Sequence, residues 1–418
     1  MTTQTAASKA PVEDFDAVIV GAGMVGTALA GLLAKAGMRV ALVEAKASPL
    51  QLSAFGGHAP APRVSALTPV SQRLLTHLGA WPAMEATRVT PYRYMQVWDA
   101  DGSGSIDFSS DEAGAPVLGH IVENDVTLAA LNEQVLHLPG VSPLFGSRIQ
   151  ALQTTDTGRW LVLEDGRQLH TPLLVAADGA RSALRELAGI EVAEEAMEQD
   201  ALVTTVLCEK THGATARQAF IAGSPLAFLP LTVKGDDRYC SIVWSTTPDH
   251  ATSLASLSRE ALGDALGSAF SHRLGEVTVV DSAHRFPLVQ RHAAHYVQPN
   301  LALVGDAAHS IHPLAGQGVN LGFMDAAVLA EEVITAWQRG APWGALTTLT
   351  RYERRRRFDN SAMLGLMKGF KVLFGSHVPV LTLARNIGMS GMNQLVPLKR
   401  VIMRQATGER GRLPLSCR

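Results

Sequence analysis

A glycine-rich turn near the start of the chain constrains the fold more than any other feature of this sequence. The run GAGMVG, residues 21–26, directly follows a β-branched segment, 15–20, and precedes an Ala- and Leu-rich segment that predicts a helix over 27–36. A second apolar segment, 39–44, predicts another strand buried on both faces, as in a parallel sheet. Together these segments predict one βαβ unit with a right-handed crossover.

The glycines of this turn have the spacing of a dinucleotide-binding fingerprint. Gly21 permits the tight turn, Gly23 lets the backbone approach a pyrophosphate, and Gly26 allows close packing of the helix on the strand. The N-terminus of the helix favours phosphate through its free N–H groups and its dipole. Glu44 ends the second strand, where a carboxylate can bind a ribose hydroxyl. The pattern predicts a dinucleotide site without distinguishing FAD from NAD.

A second motif, ADGARSALR at 177–185, follows the predicted strand 173–177. It carries Asp178 at the carboxyl end of that strand. Ser182 in the same run also fits the cap of a short helix, because its hydroxyl can accept a backbone N–H. The segment is therefore either a polar turn ahead of a helix or part of a ligand site.

A third motif is the longest. The predicted strand 301–304 delivers Asp306 at its carboxyl end, where open α/β sheets place their ligands. The run HPLAGQGVN, 312–320, follows, and its two glycines bring bare backbone close to a flat or anionic ligand. A helix is predicted over 320–335. The length of this run favours a ligand-binding role over a simple turn and cap.

The length of 418 residues suits two or three packed domains rather than one core. Strand patterns in 91–110 and 200–247 favour antiparallel pairs, and 254–273 has a helical pattern. We predict an α/β architecture with a discontinuous Rossmann-like nucleotide-binding domain, an inserted β-rich domain and a helical C-terminal region. The predicted limits are 1–90, 115–198 and 284–358 for the first, 91–114 and 199–283 for the second, and 359–418 for the third.

Charge and composition exclude several classes of protein. The formal net charge of −2 gives no sign of nucleic-acid binding. Three scattered cysteines are too few for a disulfide framework or a zinc site, and no haem or iron–sulfur pattern is present, so we expect no metal. The polar first residues do not resemble a secretory or transit signal, and no apolar run reaches the roughly 18 residues of a membrane span. We expect a cytoplasmic bacterial enzyme.

The order of the three motifs, GxGxxG, DGxxSxxR and GD, resembles that of the flavoprotein aromatic hydroxylases. The string HPLAGQGVNLGFMD, from His312 to Asp325, is similar to the signature of the ubiquinone-biosynthesis hydroxylase family. Further matches are RVSAL at 63–67, GHIVEN at 119–124, PLAFLPL at 225–231 and FPL at 286–288. The resemblance spans about residues 15 to 400. It implies a Rossmann-like FAD-binding domain of the aromatic-hydroxylase type, an inserted antiparallel β-sheet substrate domain and a C-terminal helical tail.

The resemblance also implies which residues hold the cofactor. The expected FAD contacts are Gly21, Gly23, Gly26 and Glu44 for the ADP half, Asp306 for the ribityl or pyrophosphate region, Gly316, Gln317, Gly318 and Asn320 for the ring system, and Arg63 and Asn124 beside the flavin. Asp178 lies in the motif that such hydroxylases use for both FAD and NAD(P)H. Three separate segments converging on one fingerprint also favour a large, retained cofactor over an exchanging nicotinamide.

The chemistry implied by the resemblance is oxygen transfer from a flavin C4a-hydroperoxide, formed with O₂, to a phenol ring. NAD(P)H is the expected electron donor, with a partner reductase as the alternative. Such chemistry needs an apolar pocket that excludes water, and the uncharged segment 225–231 fits either its wall or a core strand. His312 and His309 can move protons near neutral pH or serve as structural hydrogen-bonding groups. Pro313 would line and shape the flavin face.

The C-terminal part of the sequence favours a lipid-linked substrate. Residues 360–408 contain six Lys or Arg, five Met and no Asp or Glu. Such segments lie on anionic lipid, contact partner proteins or pack on the body of the enzyme. A polyprenylated phenol resides in the membrane or in a lipid-binding complex. We therefore expect a ubiquinone-biosynthesis hydroxylase, peripheral to the inner face of the membrane or bound to a multi-enzyme ubiquinone complex.

Two other functions fit parts of the sequence. One is a soluble flavin hydroxylase acting on a different phenolic metabolite. The other is a non-catalytic subunit of a quinone-pathway complex, although a scaffold has no need of Asp306 or Gly316. A flavin halogenase is disfavoured because the chain lacks a WxWxIP string.

Overall fold

The structure is a computed structural model of the chain. It describes residues 12–57, 59–100, 102–310, 318–375, 399–400, 403, 407–409 and 411–418. The helices in these ranges are α1 (Met24–Lys35), α2 (Pro69–Leu78), α3 (Trp81–Thr87), α4 (Ser110–Ala113), α5 (Asn124–Val135), α6 (Ala183–Leu187), α7 (Pro248–Ala255), α8 (Arg259–Ala269), α9 (Gly318–Gln338) and α10 (Leu346–Gly375).

The strands form four sheets. In chain order they are β1 (Val12–Asp14), β2 (Ala17–Val20), β3 (Val40–Glu44), β4 (Val64–Leu67), β5 (Thr90–Tyr92), β6 (Tyr94–Asp99), β7 (Ser105–Ser109), β8 (Gly119–Glu123), β9 (Val141–Phe145), β10 (Ile149–Thr154), β11 (Arg159–Leu163), β12 (Gln168–Thr171), β13 (Leu174–Ala176), β14 (Val192–Cys208), β15 (Thr215–Ile221), β16 (Ser224–Val233), β17 (Asp236–Thr246), β18 (Val277–Val279), β19 (His284–Ala293), β20 (Val297–Gln298), β21 (Leu301–Leu303) and β22 (His309–Ser310).

A six-stranded sheet carries the predicted βαβ unit. Its order is β20-β21-β13-β2-β3-β9, and all neighbours are parallel except the edge pair β20 and β21. Strand β2 is buried along its whole length, as the apolar run predicted. Helix α1 packs against α5 and α9, and α9 packs against α10. The sequence prediction of a Rossmann-like parallel sheet is confirmed.

A nine-stranded sheet contains the predicted antiparallel strands. Its main path is β22-β19-β14-β17-β16-β15-β6-β7, with β18 paired to β14. Alternate residues of β14, β16 and β17 form one face, which α7 and α8 cover with an apolar cluster that includes Leu202, Phe228, Trp244, Leu266 and Phe270. The rings of Phe228 and Phe270 stack with their centroids 3.8 Å apart. This contact joins the sheet directly to α8.

Two smaller sheets complete the strand inventory of the described residues. Strands β4, β8 and β5 form an antiparallel sheet that packs on β16. Strands β1, β12, β11 and β10 form the other. The β4–β8–β5 sheet also contacts α5 and α9.

The secondary structure differs from the sequence prediction at several helices. Helix α1 runs Met24–Lys35 and so begins three residues before the predicted 27–36. The helix predicted over 254–273 is two helices, because the hydroxyl of Ser258 accepts the N–H of Ala261 and starts α8 anew. Helix α9 runs Gly318–Gln338, longer at both ends than the predicted 320–335. Helix α10 crosses the predicted limit between residues 358 and 359 without a break. The predicted domain limits stay a prediction.

Among the helices in the described ranges, none has both the length and the hydropathy that crossing a bilayer requires.

Candidate cofactor-binding site

The three sequence motifs meet at one edge of the parallel sheet. Strands β21, β13 and β2 are adjacent and parallel, so the turns after them leave the sheet side by side. The amide of Ala177 donates to Val20 O at 2.7 Å, and the amide of Val304 donates to Ala176 O at 3.0 Å. The glycine turn, the Asp178 turn and the Gly305 turn are therefore direct neighbours. Sequence spacing alone could not show this adjacency.

The three glycines of the first motif differ in their surroundings. Gly21 has φ +103°, and a Cβ there would lie 2.3 Å from Ala177 O. A Cβ at Gly26 would lie 1.9 Å from Gly21 O, so the helix can approach the turn only without a side chain. A Cβ at Gly23 would meet no described atom within 4 Å. Gly21 and Gly26 thus allow the turn to form, and Gly23 leaves open space at the start of α1.

The N-terminus of α1 is suited to an anion. Gly23 caps the helix, and no side chain of the described residues caps it by hydrogen bonding. The first backbone N–H groups of a helix need such a partner, and a phosphate supplies one. The open space at Gly23 lies at the same position. A pyrophosphate group therefore fits this end of α1.

Glu44 braces the glycine turn. Its Oε2 accepts the N–H of Ala22 at 2.8 Å, and its Oε1 accepts the N–H of Lys46 at 2.9 Å. The carboxylate therefore lies beside the turn, at the carboxyl end of β3, as the sequence predicted. Its expected contact with a ribose hydroxyl stays a prediction.

The second motif combines both roles that its sequence suggested. The hydroxyl of Ser182 accepts the N–H of Arg185 at 2.9 Å and caps α6. Asp178 Oδ2 accepts the N–H of Leu184 at 3.1 Å, while its Oδ1 is buried with no hydrogen-bond partner among the described atoms. Burial raises the pKa of Asp178. A buried carboxylate oxygen without a partner is rare in proteins and marks a position that a ligand can satisfy.

Arg185 joins the second motif to the third. Its guanidinium donates to Ala307 O at 2.9 Å and to Ala180 O at 3.1 Å. The side chain is almost completely buried. Buried arginines often bind anions, but Arg185 joins two turns by donating hydrogen bonds to their carbonyl groups.

Asp306 projects from the Gly305 turn. Its side chain is accessible to solvent, yet the surrounding protein removes enough water to raise its pKa, against the opposing charges of His309 and Arg63. Open α/β sheets bind their ligands in the cleft outside the carboxyl ends of their strands, and Asp306 lies at that edge. The predicted position of Asp306 at the carboxyl edge of the sheet is observed.

Arg63 and Asn124 lie next to each other at one end of the three-stranded sheet, directly before β4 and directly after β8. The amide of Asn124 donates to Arg63 O at 3.0 Å, and Asn124 Oδ1 accepts the hydroxyl of Ser65 at 2.6 Å. The exposed guanidinium of Arg63 lies 5.5 Å from the centroid of the Phe286 ring. Phe286 belongs to β19, so this contact brings the three-stranded sheet and the nine-stranded sheet together.

Asn320 anchors the start of α9. Its Oδ1 accepts the amide of Thr68 at 3.0 Å and the hydroxyl of Ser71 at 2.7 Å, and its Nδ2 donates to Ala66 O at 2.8 Å. These bonds tie α9 to the β4–α2 connection. Gly318 begins α9, and a Cβ there would meet nothing within 4 Å. The other predicted residues of this loop, His312, Pro313, Gly316 and Gln317, lie outside the described residues.

Two other segments singled out from the sequence have structural surroundings. Strand β16, which contains PLAFLPL, is buried on both faces by protein, which fits a core strand. His309 Nε2 lies 2.6 Å from Asp325 Oδ2, and both side chains are buried. The structural alternative for His309 is thus observed.

Sequence reasoning assigned no role to Asp325. This side chain is 0% exposed and contacts His309, Arg356 and the amide of Gly305. The signal for Asp325 that the sequence offered was a carboxylate within the apolar helical pattern of α9. Its partners lie up to 35 residues away, so the sequence could not supply them.

Comparison with known proteins agrees with this geometry. A family described as FAD binding domain matches residues 14–364. The 3-demethoxyubiquinol 3-hydroxylase of Escherichia coli K12 is 38% identical, over 93% of this chain and 97% of its own. Human mitochondrial ubiquinone biosynthesis monooxygenase COQ6 is 34% identical, over 93% and 92%. Ubiquinone hydroxylase UbiL of Rhodospirillum rubrum is 35% identical, over 94% and 89%.

Solved structures share the fold. PqsL of Pseudomonas aeruginosa, a probable FAD-dependent monooxygenase, superposes with a TM-score of 0.75 at 24% identity, covering 90% of this chain and 99% of that one. The p-nitrophenol 4-monooxygenase PnpA of Pseudomonas putida gives 0.75 at 20% identity, covering 96% and 100%. With the family match and the relatives above 30% identity, the chain belongs to the FAD-dependent aromatic hydroxylases, in the group that contains the ubiquinone-biosynthesis monooxygenases.

Proposed function

We propose that this protein hydroxylates the aromatic ring of a polyprenylated phenol in ubiquinone biosynthesis, with FAD as its cofactor and O₂ as co-substrate. The observation that carries the proposal is the meeting of three turns at one sheet edge, with an uncapped helix N-terminus at the first and Asp178 and Asp306 at the others. The substrate class is supported by the relatives, whose names place them in ubiquinone biosynthesis.

The proposed cofactor contacts follow the positions of the turns. Gly21 and Gly26 keep the first turn tight, Gly23 leaves room for the pyrophosphate, and Glu44 binds the ribose beside it. Asp306 binds the ribityl or pyrophosphate region from inside the cleft. Bound FAD supplies the redox chemistry and the oxygen activation, and the protein supplies position and electrostatics.

The contacts at the flavin end of the site are proposed from the sequence motifs and from the positions of the residues beside them. Arg63 and Asn124 lie together at one end of the three-stranded sheet and would contact the flavin. Gly316, Gln317, Gly318 and Asn320 would offer backbone N–H groups to the ring system. His312 would move protons, and Pro313 would shape the flavin face. Asp178 would serve both FAD and NAD(P)H, which is the proposed electron donor.

The test begins with the visible spectrum of purified protein and the mass of any released cofactor. We expect the bands of oxidised flavin and the mass of FAD. Asp306→Ala should lose FAD and fail to restore ubiquinone synthesis in a deletion strain. A colourless wild-type protein that FAD does not reconstitute would refute the cofactor assignment. A deletion strain that still makes ubiquinone would point to a different phenolic substrate, and complementation by Asp306→Ala would support a non-catalytic subunit.

We further propose peripheral association with the membrane. On α10, Arg351, Arg354 and Phe358 share an exposed face, and Phe358 is 77% exposed. The basic, acid-free segment 360–408 follows, most of it outside the described residues. Basic and aromatic side chains together favour anionic bilayer surfaces. Co-sedimentation with anionic vesicles but not with neutral ones is expected, and equal recovery with both would refute the idea.

A further inference from the structure

We propose that Asp325 is a positioning residue that holds the Gly305–Asp306 turn in its cofactor-binding conformation and couples that turn to α10. The inference rests on the proposed FAD contact of Asp306. Asp325 does not face the cleft itself, since its carboxylate is fully buried. It acts through the backbone of the turn that carries Asp306.

The carboxylate of Asp325 contacts three separate parts of the chain. Oδ2 accepts the amide N–H of Gly305 at 3.0 Å and lies 2.6 Å from His309 Nε2. Oδ1 accepts Arg356 Nε at 2.8 Å and Asn360 Nδ2 at 3.3 Å. One carboxylate oxygen therefore contacts the turn and the strand that follows it, and the other contacts α10.

The turn is also confined by packing. Gly305 has φ +59°, a left-handed conformation that favours glycine, and its amide donates to Asp325 Oδ2. A Cβ at Gly322 would lie 3.3 Å from the Cα of Gly305 and 2.6 Å from Val25 Cγ2. Helix α9 therefore approaches the turn and α1 with bare backbone. On the remaining side Arg185 holds Ala307 O.

The charge on Asp325 is stabilised where it is buried. Burial by itself disfavours the carboxylate, but the charges and hydrogen bonds of His309 and Arg356 outweigh it and lower the pKa of Asp325 to about 2. Arg356 is equally buried and also contacts Asp359 and Asn360. An ion pair without solvent is costly to separate, because Arg356 would keep only the half-exposed Asp359 as an ionic partner. The pair therefore makes the geometry of the turn depend on the position of α10.

The experiment compares Asp325→Leu, which removes both acceptor oxygens, with the double variant Asp325→Leu/Arg356→Met, which also removes the arginine charge left with Asp359 as its remaining ionic partner. Leu266→Ala, in the apolar cluster beneath α8, is a control for destabilisation at a distance from the turn. Two quantities are measured on each protein. They are the dissociation constant of FAD, by titration of the apoprotein, and the amide hydrogen exchange of residues 303–308 in the apoprotein without FAD.

Both Asp325 variants should exchange the amides of the turn faster than wild type and bind FAD about 10- to 100-fold more weakly, the effect of losing hydrogen bonds to a charged group. The double variant should recover stability but not FAD affinity. Leu266→Ala should lower the melting temperature and leave both readouts of the turn unchanged.

Wild-type exchange at the turn and wild-type FAD affinity in the double variant would overturn the inference. So would equal weakening of FAD binding by Leu266→Ala, since the effect would then follow from general destabilisation. The proposed function fails differently: wild-type protein that binds no FAD, or Asp306→Ala that binds it normally, removes the contact on which the inference rests.

Discussion

The six-stranded, mostly parallel sheet and the nine-stranded, mostly antiparallel sheet distribute their polar groups in opposite ways. Around the carboxyl edge of the parallel sheet, buried charged side chains contact one another or the backbone of turns, as Arg185 and Asp325 do. The nine-stranded sheet instead joins α8 through an apolar cluster centred on Phe228 and Phe270. The first region is therefore specified by individual hydrogen bonds at strand ends, and the second by the volume and shape of packed side chains.

This difference explains why the cofactor can be inferred from the sequence more readily than the substrate. A cofactor held at strand ends depends on short motifs whose residues are near in sequence. A substrate pocket against an antiparallel sheet depends on which residues alternate onto one face across strands far apart in the chain. Three predictions, from the largest expected effect to the smallest, test whether hydrogen bonds specify the first region and side-chain packing the second.

The first concerns the two kinds of glycine in the parallel-sheet turn. Gly21→Ala should cost about 5 kcal/mol or more, because its Cβ would lie 2.3 Å from Ala177 O and its φ is +103°. Gly23→Ala should change the stability of the apoprotein by less than about 1 kcal/mol, since its Cβ would meet nothing within 4 Å. It should nevertheless weaken FAD binding at least about tenfold, because a methyl group would occupy the proposed pyrophosphate position.

Urea unfolding of the apoproteins and FAD titration measure both glycine effects. Wild-type FAD affinity in Gly23→Ala would contradict the predicted place of the pyrophosphate. A stable Gly21→Ala would show that the turn has another accessible conformation.

The second concerns the antiparallel region. Phe270→Ala should destabilise the protein by about 3–5 kcal/mol through the cavity it leaves beside Phe228. FAD affinity of the remaining folded protein should stay within about twofold of wild type. Denaturant unfolding and FAD titration again supply the readouts. Loss of FAD affinity in parallel with stability would indicate that the two regions are energetically coupled rather than separate.

The third concerns the three-stranded sheet. His120 on β8 is 7% exposed, and its ring lies edge-on to that of Trp81 with the ring centroids 4.9 Å apart. Burial lowers the pKa of His120 to about 4. In the unfolded chain its pKa is about 6.5. As the pH falls from about 6.5 to 4, the unfolded state binds a proton that the folded state does not. Stability should therefore fall over this window by up to about 3 kcal/mol.

Replacing the imidazole separates this effect from other acid transitions. His120→Gln should flatten the stability profile between about pH 6.5 and pH 4. It should leave the profile below about pH 4 unchanged, where Asp325 loses its contribution as the pH falls toward its pKa of about 2. Urea midpoints at several pH values measure both. An unaltered slope in His120→Gln would show that His120 is protonated in the folded state.

The cofactor end of the fold could be predicted in detail because its determinants are local. Strand β2, the glycine turn and α1 are contiguous, and each has its own sequence pattern. The position of Asp306 followed in the same way from one buried strand and the turn after it. The helical pattern over 254–273 corresponds to two helices, because the cap at Ser258 starts α8 anew.

The sequence by itself determined the parallel sheet, the glycine turn and the residues that follow its strands, because hydrophobic periodicity and turn chemistry act over a few neighbouring residues. The tertiary structure decided what those residues contact. Arg185 reaches Ala307, Asn320 reaches the β4–α2 connection, and Asp325 joins Gly305 to Arg356. These contacts join segments up to 254 residues apart. A buried charge takes its partner from whichever segment the packed fold brings within hydrogen-bonding distance.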